Sequence, residues 1–563
     1  MKTYGLLFWA ALIAFLSPSS PSFTSARITV TACGPRLRKS WAAMTSAETT
    51  KYKGAIAAAM DSGAYIKFVE MHTEMMSEME AHRQCMFIYW HRLLLVVFEN
   101  MLRGQGSQYA CVTVPYWDWV SDYNRFVSGQ CSNMLDCSYA LRALGGSSGT
   151  SERYLPINGQ DTWGVYIAKS PLDHFCQNSG VTGTRCAKKL TRGVWKYTTL
   201  PGSTSYASVV NQLFSSANIA GMSEAIEEGA HNNIHANLAG AMETFASPAD
   251  PVFWSHHAMV DLLHTIFHKC KVGTNKMTLA EKVNSTIGWT SCERRNGGEF
   301  NPYDKVTMRT GLNGVNPKAG AADKVIGKYF SGVPTQFAAL MDHNDLGSSS
   351  YAYVYQELLS DLYANCGAVV TSDSVIENTS ASQRRRLDDT LTAAIDATSH
   401  ALNTSALTLD STSNVTTVSS GELVLVTLNA TGSSQNAISI ATNATSSGSA
   451  ILLVAAVNTT LEVSSEAVST FTVSTNNLLV AEVGTDAGSI ISEQEKMSCM
   501  FQDECLGGVK DYPATFKKNF NITQPPRCKV IVDAIRCGHD TIALANWKET
   551  MMASFGCPLP TKS

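Results

Sequence analysis

The chain has 563 residues, of which 44% are hydrophobic and 16% charged, and its formal net charge is −4. This composition is typical of a globular protein and excludes a disordered or fibrous chain. The nearly balanced charge gives no indication of nucleic acid as a partner, and no apolar run reaches the roughly 18–20 residues that span a bilayer. We therefore predict neither a nucleic-acid partner nor a transmembrane anchor.

Residues 1–26 have the pattern of a secretory signal peptide. Lys2 is their only strongly basic residue, residues 6–16 form an apolar core, and residues 24–26 are small at the predicted cleavage point. The apolar core is too short for a stop-transfer helix. The sequence therefore predicts a protein that is secreted and extracellular.

The cysteines and the glycosylation sequons fit the same compartment. All fifteen cysteines follow the signal, and secreted chains usually hold cysteines in disulfides. Because fifteen is odd, at least one cysteine is free, modified or bonded to another chain. Asn-X-Ser/Thr sequons predict a glycoprotein, and they begin at Asn284, Asn378, Asn403, Asn414, Asn429, Asn443, Asn458 and Asn521.

Composition divides the mature chain into three predicted parts. Residues 27–366 have ordinary composition and enough length for a large core. Residues 367–495 are rich in Ser and Thr, and we expect either a flexible glycosylated linker or a small β-rich module with strands near 422–428 and 450–457. Residues 496–563 contain five cysteines and are predicted to form a small Cys-rich module.

A tribasic run, Arg384 to Arg386, lies within the second part. Such a run is either a solvated charge cluster or a processing site. The sequence leaves open whether the C-terminal region is cleaved, shields a functional site or tethers the protein. If this region is an inhibitory lid, a cut near Arg386 should raise activity.

Two histidine clusters carry the predicted chemistry. The first contains His72, His82 and His91 on helix-forming stretches. In the second, His231 and His235 have i,i+4 spacing, which places both imidazoles on one helix face. After Asp250-Pro251, which predicts a helix start, a further histidine can complete a set of three nitrogen ligands. All-histidine sites favour copper over diiron, whose helical sites use Glu-x-x-His pairs.

The residues around these histidines resemble a known family. The stretch from His82 to Arg92, with Glu99 beyond it, resembles the first copper motif of the tyrosinase, catechol oxidase and haemocyanin group. The stretch from Asp250 through Phe253 and His257 to Asp261 resembles its second motif. The aromatic stretch 114–119 also resembles a family signature, so the resemblance covers roughly residues 33–366.

The resemblance implies a mainly α fold, with a four-helix-bundle dicopper domain and long loops. It implies two copper ions in one dinuclear site, with the metal ligands His72, His82, His91, His231, His235 and His257. His72 is the least secure ligand, because its spacing of ten residues from His82 is short for the family. His256 is expected to be a neighbour on the wrong helix face, and His264 and His268 are expected to be packing or surface residues.

Several neighbours of the ligands are assigned by the same resemblance. Glu80 stands where many members have a cysteine that is linked to the second histidine, so that crosslink is absent here. Cys85 is expected to form a disulfide, with Cys111 as a candidate partner. Phe253 either borders the substrate approach or packs in the core, and Arg92 and Asp261 are expected to form a charge pair between two ligand helices.

The resemblance implies a copper-dependent oxidoreductase that converts mono- and/or o-diphenols to o-quinones with O2. Glu227, four residues before His231, and Asn232, directly after it, are the candidate catalytic residues, since the family uses such a pair to hold a water as base. Near the charge of two copper ions Glu227 is expected to stay ionised and to act through that water; alternatively, it only interacts with a helix dipole. Two other functions remain open: a haemocyanin-like oxygen carrier, and an extracellular surface or matrix protein with an incidental copper domain. The natural phenol and the oligomeric state are not predicted.

Overall fold

Helices dominate the part of the chain that the computed structural model describes, which confirms the mainly α fold class. The described residues are 33–369, the strand residues 415–420, 423–428, 436–443 and 450–457, and residues 459–557. The described residues from 34 onward form one compact unit. The predicted signal peptide and the tribasic run lie outside the described residues.

The helices fall into two groups along the chain. The first group comprises α1 (Ser46–Asp61), α2 (Tyr65–Thr73), α3 (Met75–Ala81), α4 (Phe87–Arg103), α5 (Trp119–Val127), α6 (Met134–Cys137), α7 (Tyr139–Ala143), α8 (Tyr206–Phe214), α9 (Ile219–Ile226), α10 (Asn232–Leu238), α11 (Pro251–Phe267), α12 (Leu279–Asn284) and α13 (Glu357–Asn365). The second group comprises α14 (Thr459–Val483), α15 (Ala487–Cys505), α16 (Ala514–Phe520), α17 (Arg527–Arg536) and α18 (Trp547–Phe555).

The strands are short and form four small sheets. They are β1 (Leu37–Arg38), β2 (Glu152–Ile157), β3 (Gln160–Ile167), β4 (Leu190–Arg192), β5 (Arg309–Thr310), β6 (Lys318–Ala319), β7 (Ala352–Tyr353), β8 (Val415–Ser420), β9 (Leu423–Leu428), β10 (Asn436–Asn443) and β11 (Ala450–Val457). Strands β2, β3 and β4 pair antiparallel, with Tyr154 opposite Trp163. Strand β1 pairs parallel with β7, so the start of the described chain lies beside residues 352–353.

Local sequence signals explain where the principal helices begin. Thr45 caps α1 and forms a reciprocal capping box with Glu48. Asp250 caps α11 by accepting the backbone N–H of Val252 at 3.0 Å, and Pro251 occupies the first helical position, where its missing N–H costs nothing. The predicted helix start at Asp250-Pro251 is therefore confirmed.

Helices α4 and α11 form the centre of the main core. Every residue of α11 is buried, and its Trp254 stacks on Phe98 of α4 with ring centroids 3.4 Å apart. Trp117 and Trp119 are also buried. A helix whose side chains are apolar or hydrogen-bonded within the protein on every face belongs in the interior. This central position fixes the orientation of the histidines on α4 and α11.

The described residues of the Ser/Thr-rich part form both strands and helices. The two β-prone runs form β9 and β11, and strands β8 to β11 make one antiparallel sheet in sequential order. Helix α14 follows the sheet, and α15 crosses the predicted boundary between residues 495 and 496. The domain division of this half of the chain remains a prediction.

Disulfides close both local loops and long segments, with sequence separations from 6 to 207 residues. The bonded pairs are Cys85–Cys292, Cys131–Cys137, Cys176–Cys186, Cys270–Cys366, Cys499–Cys528 and Cys505–Cys557. The suggested pairing of Cys85 with Cys111 is wrong, because the loop after α12 brings Cys292 to Cys85, and Cys111 is bonded elsewhere. Cys537 is free and exposed, as the odd number of cysteines required.

Candidate metal centre

The three histidines of the first cluster come together from separate helices. His72 lies on α2, His82 ends α3 and His91 lies on α4, and all three are buried. Their potential ligand nitrogens lie within 4.8 Å of one another. The backbone leaves helical geometry at His82, which turns its ring toward the other two. The short spacing between His72 and His82 is therefore compatible with a shared site.

The second cluster contains four histidines instead of the three predicted. His231, His235, His256 and His257 are buried, and their potential ligand nitrogens lie within 4.8 Å of one another. We predicted His256 to be a neighbour on the wrong helix face, but a ring nitrogen of His256 lies within the cluster. Because α11 is buried on every side, adjacent residues of this helix both face protein: His256 stacks on His231, and His257 stacks on His91.

The two clusters face each other across one space. The rings of His91 and His257 are stacked with centroids 4.3 Å apart and planes 11° apart. Phe253 lies between the clusters, with its ring 5.1 Å from that of His72 and 4.1 Å from that of His257. Phe253 is completely buried, so it separates the histidines as a core residue.

Backbone hydrogen bonds set the tautomer of several histidines. The Nδ1 atoms of His72, His91 and His235 lie 2.7, 2.9 and 2.7 Å from backbone carbonyl oxygens. A carbonyl oxygen only accepts, so each Nδ1 carries the proton and each Nε2 presents a lone pair. The Nε2 atoms of His72 and His91 are buried with no hydrogen-bond partner among the described residues. Metal-ligating histidines are oriented in this way.

Burial keeps these imidazoles neutral. It lowers the pKa of His72 to about 3 and that of His235 to about 4. Burial, followed by repulsion from neighbouring histidines, lowers the pKa of His82, His231 and His257 well below the ordinary value. A metal ion binds the neutral form, so the donor set fits metals that prefer nitrogen, copper among them.

Glu227 and Asn232 lie beside the second cluster and have separate partners. Oε1 of Glu227 accepts the backbone N–H of Arg83 at 2.7 Å, and Oδ1 of Asn232 lies 3.0 Å from Nδ1 of His231. Burial raises the pKa of Glu227 to about 8. In the metal-free chain its neutral form is therefore favoured at pH 7, whereas the expectation of an ionised carboxylate concerns the copper-loaded site. Its proposed catalytic role remains a prediction.

The segment before His231 departs from a regular helix. Residues Glu227–His231 form a π-helical turn, and Gly229 has non-helical angles of φ −81° and ψ −114°. The turn still brings His231 to His235, whose ring centroid is 4.5 Å away. Such turns occur frequently at functional sites.

The other residues singled out near the ligands have structural partners. Glu80 is buried and accepts the backbone N–H of Thr307 at 2.7 Å. Nε of Arg92 lies 2.7 Å from Oδ1 of Asp261, which confirms the predicted charge pair between α4 and α11. His264 and His268 are buried, and the ring of His264 packs on Tyr89. They are packing residues.

A residue that sequence reasoning missed lies over both clusters. Phe520, at the end of α16, has its ring 5.9 Å from His82 and 6.1 Å from His235, and it packs on Phe245 at 4.7 Å. We call the segment that carries it, residues 506–526, the cover. No local motif marks Phe520, and its position depends on contacts with residues more than 250 positions earlier in the chain.

The comparisons with known proteins identify the family. The common central domain of tyrosinase matches residues 62–269, a range that contains every histidine of both clusters. A tyrosinase of Streptomyces galbus is 30% identical over 236 residues, which are 39% of this chain and 79% of that protein. The chain belongs to the tyrosinase family. As a tyrosinase-family protein it is an oxidoreductase of the copper oxidase type, and its histidine clusters fit metal binding.

Further relatives show which part of the molecule the family accounts for. The tyrosinase of Streptomyces glaucescens is 29% identical over 253 residues, 43% of this chain and 86% of that protein. Tyrosinase-like protein 1 of Margaritifera margaritifera is 29% identical over 196 residues, 34% of this chain and 36% of that protein. The cover lies outside the matched domain, which ends at residue 269.

No helix in the described ranges combines the length and apolar character needed to cross a membrane.

Proposed function

We propose that this protein is a secreted phenol oxidase that holds two copper ions and converts monophenols, o-diphenols or both to o-quinones with O2. The observation that carries the proposal is the pair of buried, neutral histidine clusters that face each other. The four helices that carry most of the ligands would be the four-helix bundle of the family. The Ser/Thr-rich and Cys-rich parts would be appended to this oxidase domain.

The residues fit two copper ions. His72, His82 and His91 would hold one ion, and His231, His235 and His257 the other. Copper, when bound, supplies the redox chemistry with O2. The protein fixes the imidazole orientation through the carbonyl oxygens of Phe245, Phe87 and Met242 and excludes water by complete burial of the histidines.

The chain also provides a place for an aromatic ring. The ring of Phe520 lies against His82, His235 and Phe245. The ring of a phenol would make the same edge and face contacts with these side chains as the ring of Phe520 does. A phenol would occupy this place once Phe520 has left it. Aromatic contacts would orient the phenol, with its hydroxyl directed toward the histidines.

An oxygen carrier is the main alternative, because the same donor set serves oxygen binding in the wider family. The test is turnover of catechol and of a monophenol by purified, copper-loaded protein in which Phe520 is replaced by Ala. Sustained quinone formation is expected. An oxygen-dependent absorbance without quinone formation would indicate a carrier and overturn the proposal. His231→Ala should lose copper and turnover, whereas His264→Ala serves as the control that retains both.

A further inference from the structure

The loop between α3 and α4 places an arginine directly beside the first histidine cluster. Arg83 follows His82, and its φ of +55° is a left-handed conformation that residues other than glycine seldom adopt. Its backbone N–H donates to Oε1 of Glu227 at 2.7 Å. Residues held in such strained conformations cluster at active sites and ligand clamps. The backbone of Arg83 is therefore fixed at the rim of the site, next to His82 and Glu227.

A disulfide brings a second arginine to the same rim. Cys85 is bonded to Cys292, which ties the loop after α3 to the loop that contains Arg295. Nη1 of Arg295 donates to Oε1 of Glu78 at 2.8 Å and to the carbonyl oxygen of His82 at 3.2 Å. The guanidinium of Arg295 is thus anchored on the residues that carry the first cluster.

The charges of these two arginines are not balanced. Glu78 compensates Arg295 at 2.8 Å. The side chain of Arg83 is exposed and forms no ion pair among the described residues, since Glu227 binds its backbone N–H and not its guanidinium. Partial burial, followed by repulsion from Arg295, lowers the pKa of Arg83, so the two guanidinium groups are neighbours. Two guanidinium groups with one carboxylate leave one positive charge for an incoming anion.

A phenol at the place proposed above would direct its substituent away from the histidines. The ring of Phe520, which occupies that place, lies 5.9 Å from the ring of His82, and Arg83 is the next residue of the chain. When the hydroxyl of the phenol faces the histidines, the group on the opposite side of its ring faces outward. A carboxylate carried there on a short linker would come within reach of the long side chain of Arg83.

Resting on the proposed function, we infer that Arg83, held beside Arg295, selects phenols that carry a carboxylate on a short side chain opposite the hydroxyl. The two arginines are called the anion site below. The carboxylate forms two parallel hydrogen bonds with the free guanidinium and neutralises the excess charge. Cys292 and Arg295 lie beyond residue 269, where the matched tyrosinase domain ends, so the second arginine is not part of that domain.

The first measurement is the binding of redox-inert probes to the metal-free, full-length chain with Phe520→Ala. Phenylpropionate should bind roughly 10-fold more tightly than phenylpropanol, which has a similar shape without the charge, because it gains a partly exposed charge-assisted hydrogen bond. Adding Arg83→Gln should remove this preference, and Arg83→Lys should retain part of it. Arg83→Glu should reverse the preference in favour of phenylpropylamine. A preference for phenylpropionate that survives Arg83→Gln would overturn the inference, because the carboxylate would then bind elsewhere.

Arg185→Gln in the same protein is the matched control. Arg185 is also exposed, and its contacts within the described part of the chain include no histidine of either cluster. This variant should retain the full preference for phenylpropionate. Added salt should weaken the preference wherever Arg83 is present, because salt screens a partly exposed charge. If Arg185→Gln loses as much of the preference as Arg83→Gln does, the effect belongs to the net charge of the protein, and the anion site is refuted.

The second measurement is turnover by the copper-loaded protein with Phe520→Ala. Adding Arg83→Gln should lower kcat/KM for dihydroxyphenylpropionate, relative to that for methylcatechol, by roughly 10-fold. The loss should lie mainly in KM, because the carboxylate is remote from the reacting hydroxyls and binds equally before and during the reaction. Equal changes for the two catechols would contradict the inference. If the probes bind to the metal-free chain as expected but no variant forms quinone, the proposed function fails and the anion site stands.

Discussion

The adjacent histidines of α11 have different neighbours, and this difference bears on ligand choice. His257 stacks on His91 of the opposite cluster, and its Nε2 lies 3.4 Å from Nε2 of His235. His256 stacks on His231, and neither of its ring nitrogens has a hydrogen-bond partner among the described residues. Because His257 lies between the two clusters, we expect His257 rather than His256 to be the metal ligand.

We therefore expect His257→Ala to lose one of two coppers and nearly all activity. His256→Ala should retain two coppers, because it removes a stacking ring while His231, His235 and His257 remain. Metal content per chain, measured on purified protein, checks both variants. An equal copper loss in the two variants would show that the second ion depends on all four nitrogens.

Glu227 allows a separate prediction about the substrate range. Glu227→Gln combined with Asn232→Ala should depress monophenol turnover far more than catechol turnover, because only monophenols must lose a proton to a positioned base. Gln at this position can still accept the backbone N–H of Arg83. Steady-state kinetics on a matched phenol and catechol provide the measurement, and equal losses on both substrates would contradict the base assignment.

The pH dependence of stability tests the buried state of Glu227 independently. Its pKa is raised, chiefly by burial, to about 8 from an ordinary value of 4.5. Its contribution to stability is therefore complete below pH 4.5 and is lost as the pH rises through 8. In metal-free protein, the free energy of unfolding of Glu227→Gln should therefore fall less between pH 5 and pH 8 than that of the unchanged chain. Identical pH profiles for the two proteins would show that Glu227 is not buried.

At the scale of a secondary-structure element, the buried side chain of Gln212 packs against the π-helical turn Glu227–His231. Oε1 of Gln212 accepts the backbone N–H of Ala230 at 2.9 Å, and its Nε2 donates to the carbonyl oxygen of Ser203 at 2.8 Å. A Cβ at Gly229 would lie 2.5 Å from Cδ of Gln212. Because Gln212 is buried and bonded at both ends, it has little freedom to move.

Gly229→Ala should therefore destabilise the protein by ~1–3 kcal/mol, the usual cost of overpacking, and should lower copper content by displacing His231. Gly34→Ala is the matched control, since a Cβ at Gly34 meets nothing within 4 Å. Denaturant unfolding and metal analysis are the measurements. If Gly229→Ala behaves as Gly34→Ala does, the turn does not depend on the absence of a side chain.

At the scale of the whole molecule, a buried charge network joins four distant segments. Asp261 of α11 accepts from Nε of Arg92 at 2.7 Å and from the hydroxyls of Tyr351 and Tyr353 at 2.5 and 2.7 Å. Arg38 of β1 lies 2.9 Å from the carboxylate of Glu99. Burial alone would raise the pKa of Asp261, but the charges of Arg92 and Arg38 hold it below its ordinary value.

Asp261→Asn should lower the free energy of unfolding by ~3–5 kcal/mol, because it leaves the buried guanidinium groups of Arg92 and Arg38 without full charge compensation. The salt bridge between the exposed Lys276 and Asp345 provides the comparison. Lys276→Gln should lower the free energy of unfolding by less than ~1 kcal/mol. Both values come from denaturant unfolding. A similar small cost for the two variants would mean that the network contributes little to stability.

The features that could be predicted from the sequence were those marked by a short local pattern of residues. Asp250 and Pro251 mark the start of a helix by themselves, and the recurring histidines indicated both clusters. The position of His256 was missed because helix-face reasoning assumes one solvent-facing side, and α11 has none. Helix α14 was missed because Ser, Thr and Val are weak helix formers; tertiary contacts, such as those of the buried Leu479, outweigh that preference.

Phe520 can be regarded as a ligand that the protein carries on its own chain. A short tether gives such a group an effective concentration of the order of millimolar, however dilute the protein is. If closed molecules outnumber open ones by roughly 100 to 1, the apparent affinity for a free phenol falls ~100-fold, and removal of the tethered ring can restore no more than that factor. Dilution cannot relieve such self-competition, because the competing ring and the site belong to the same chain.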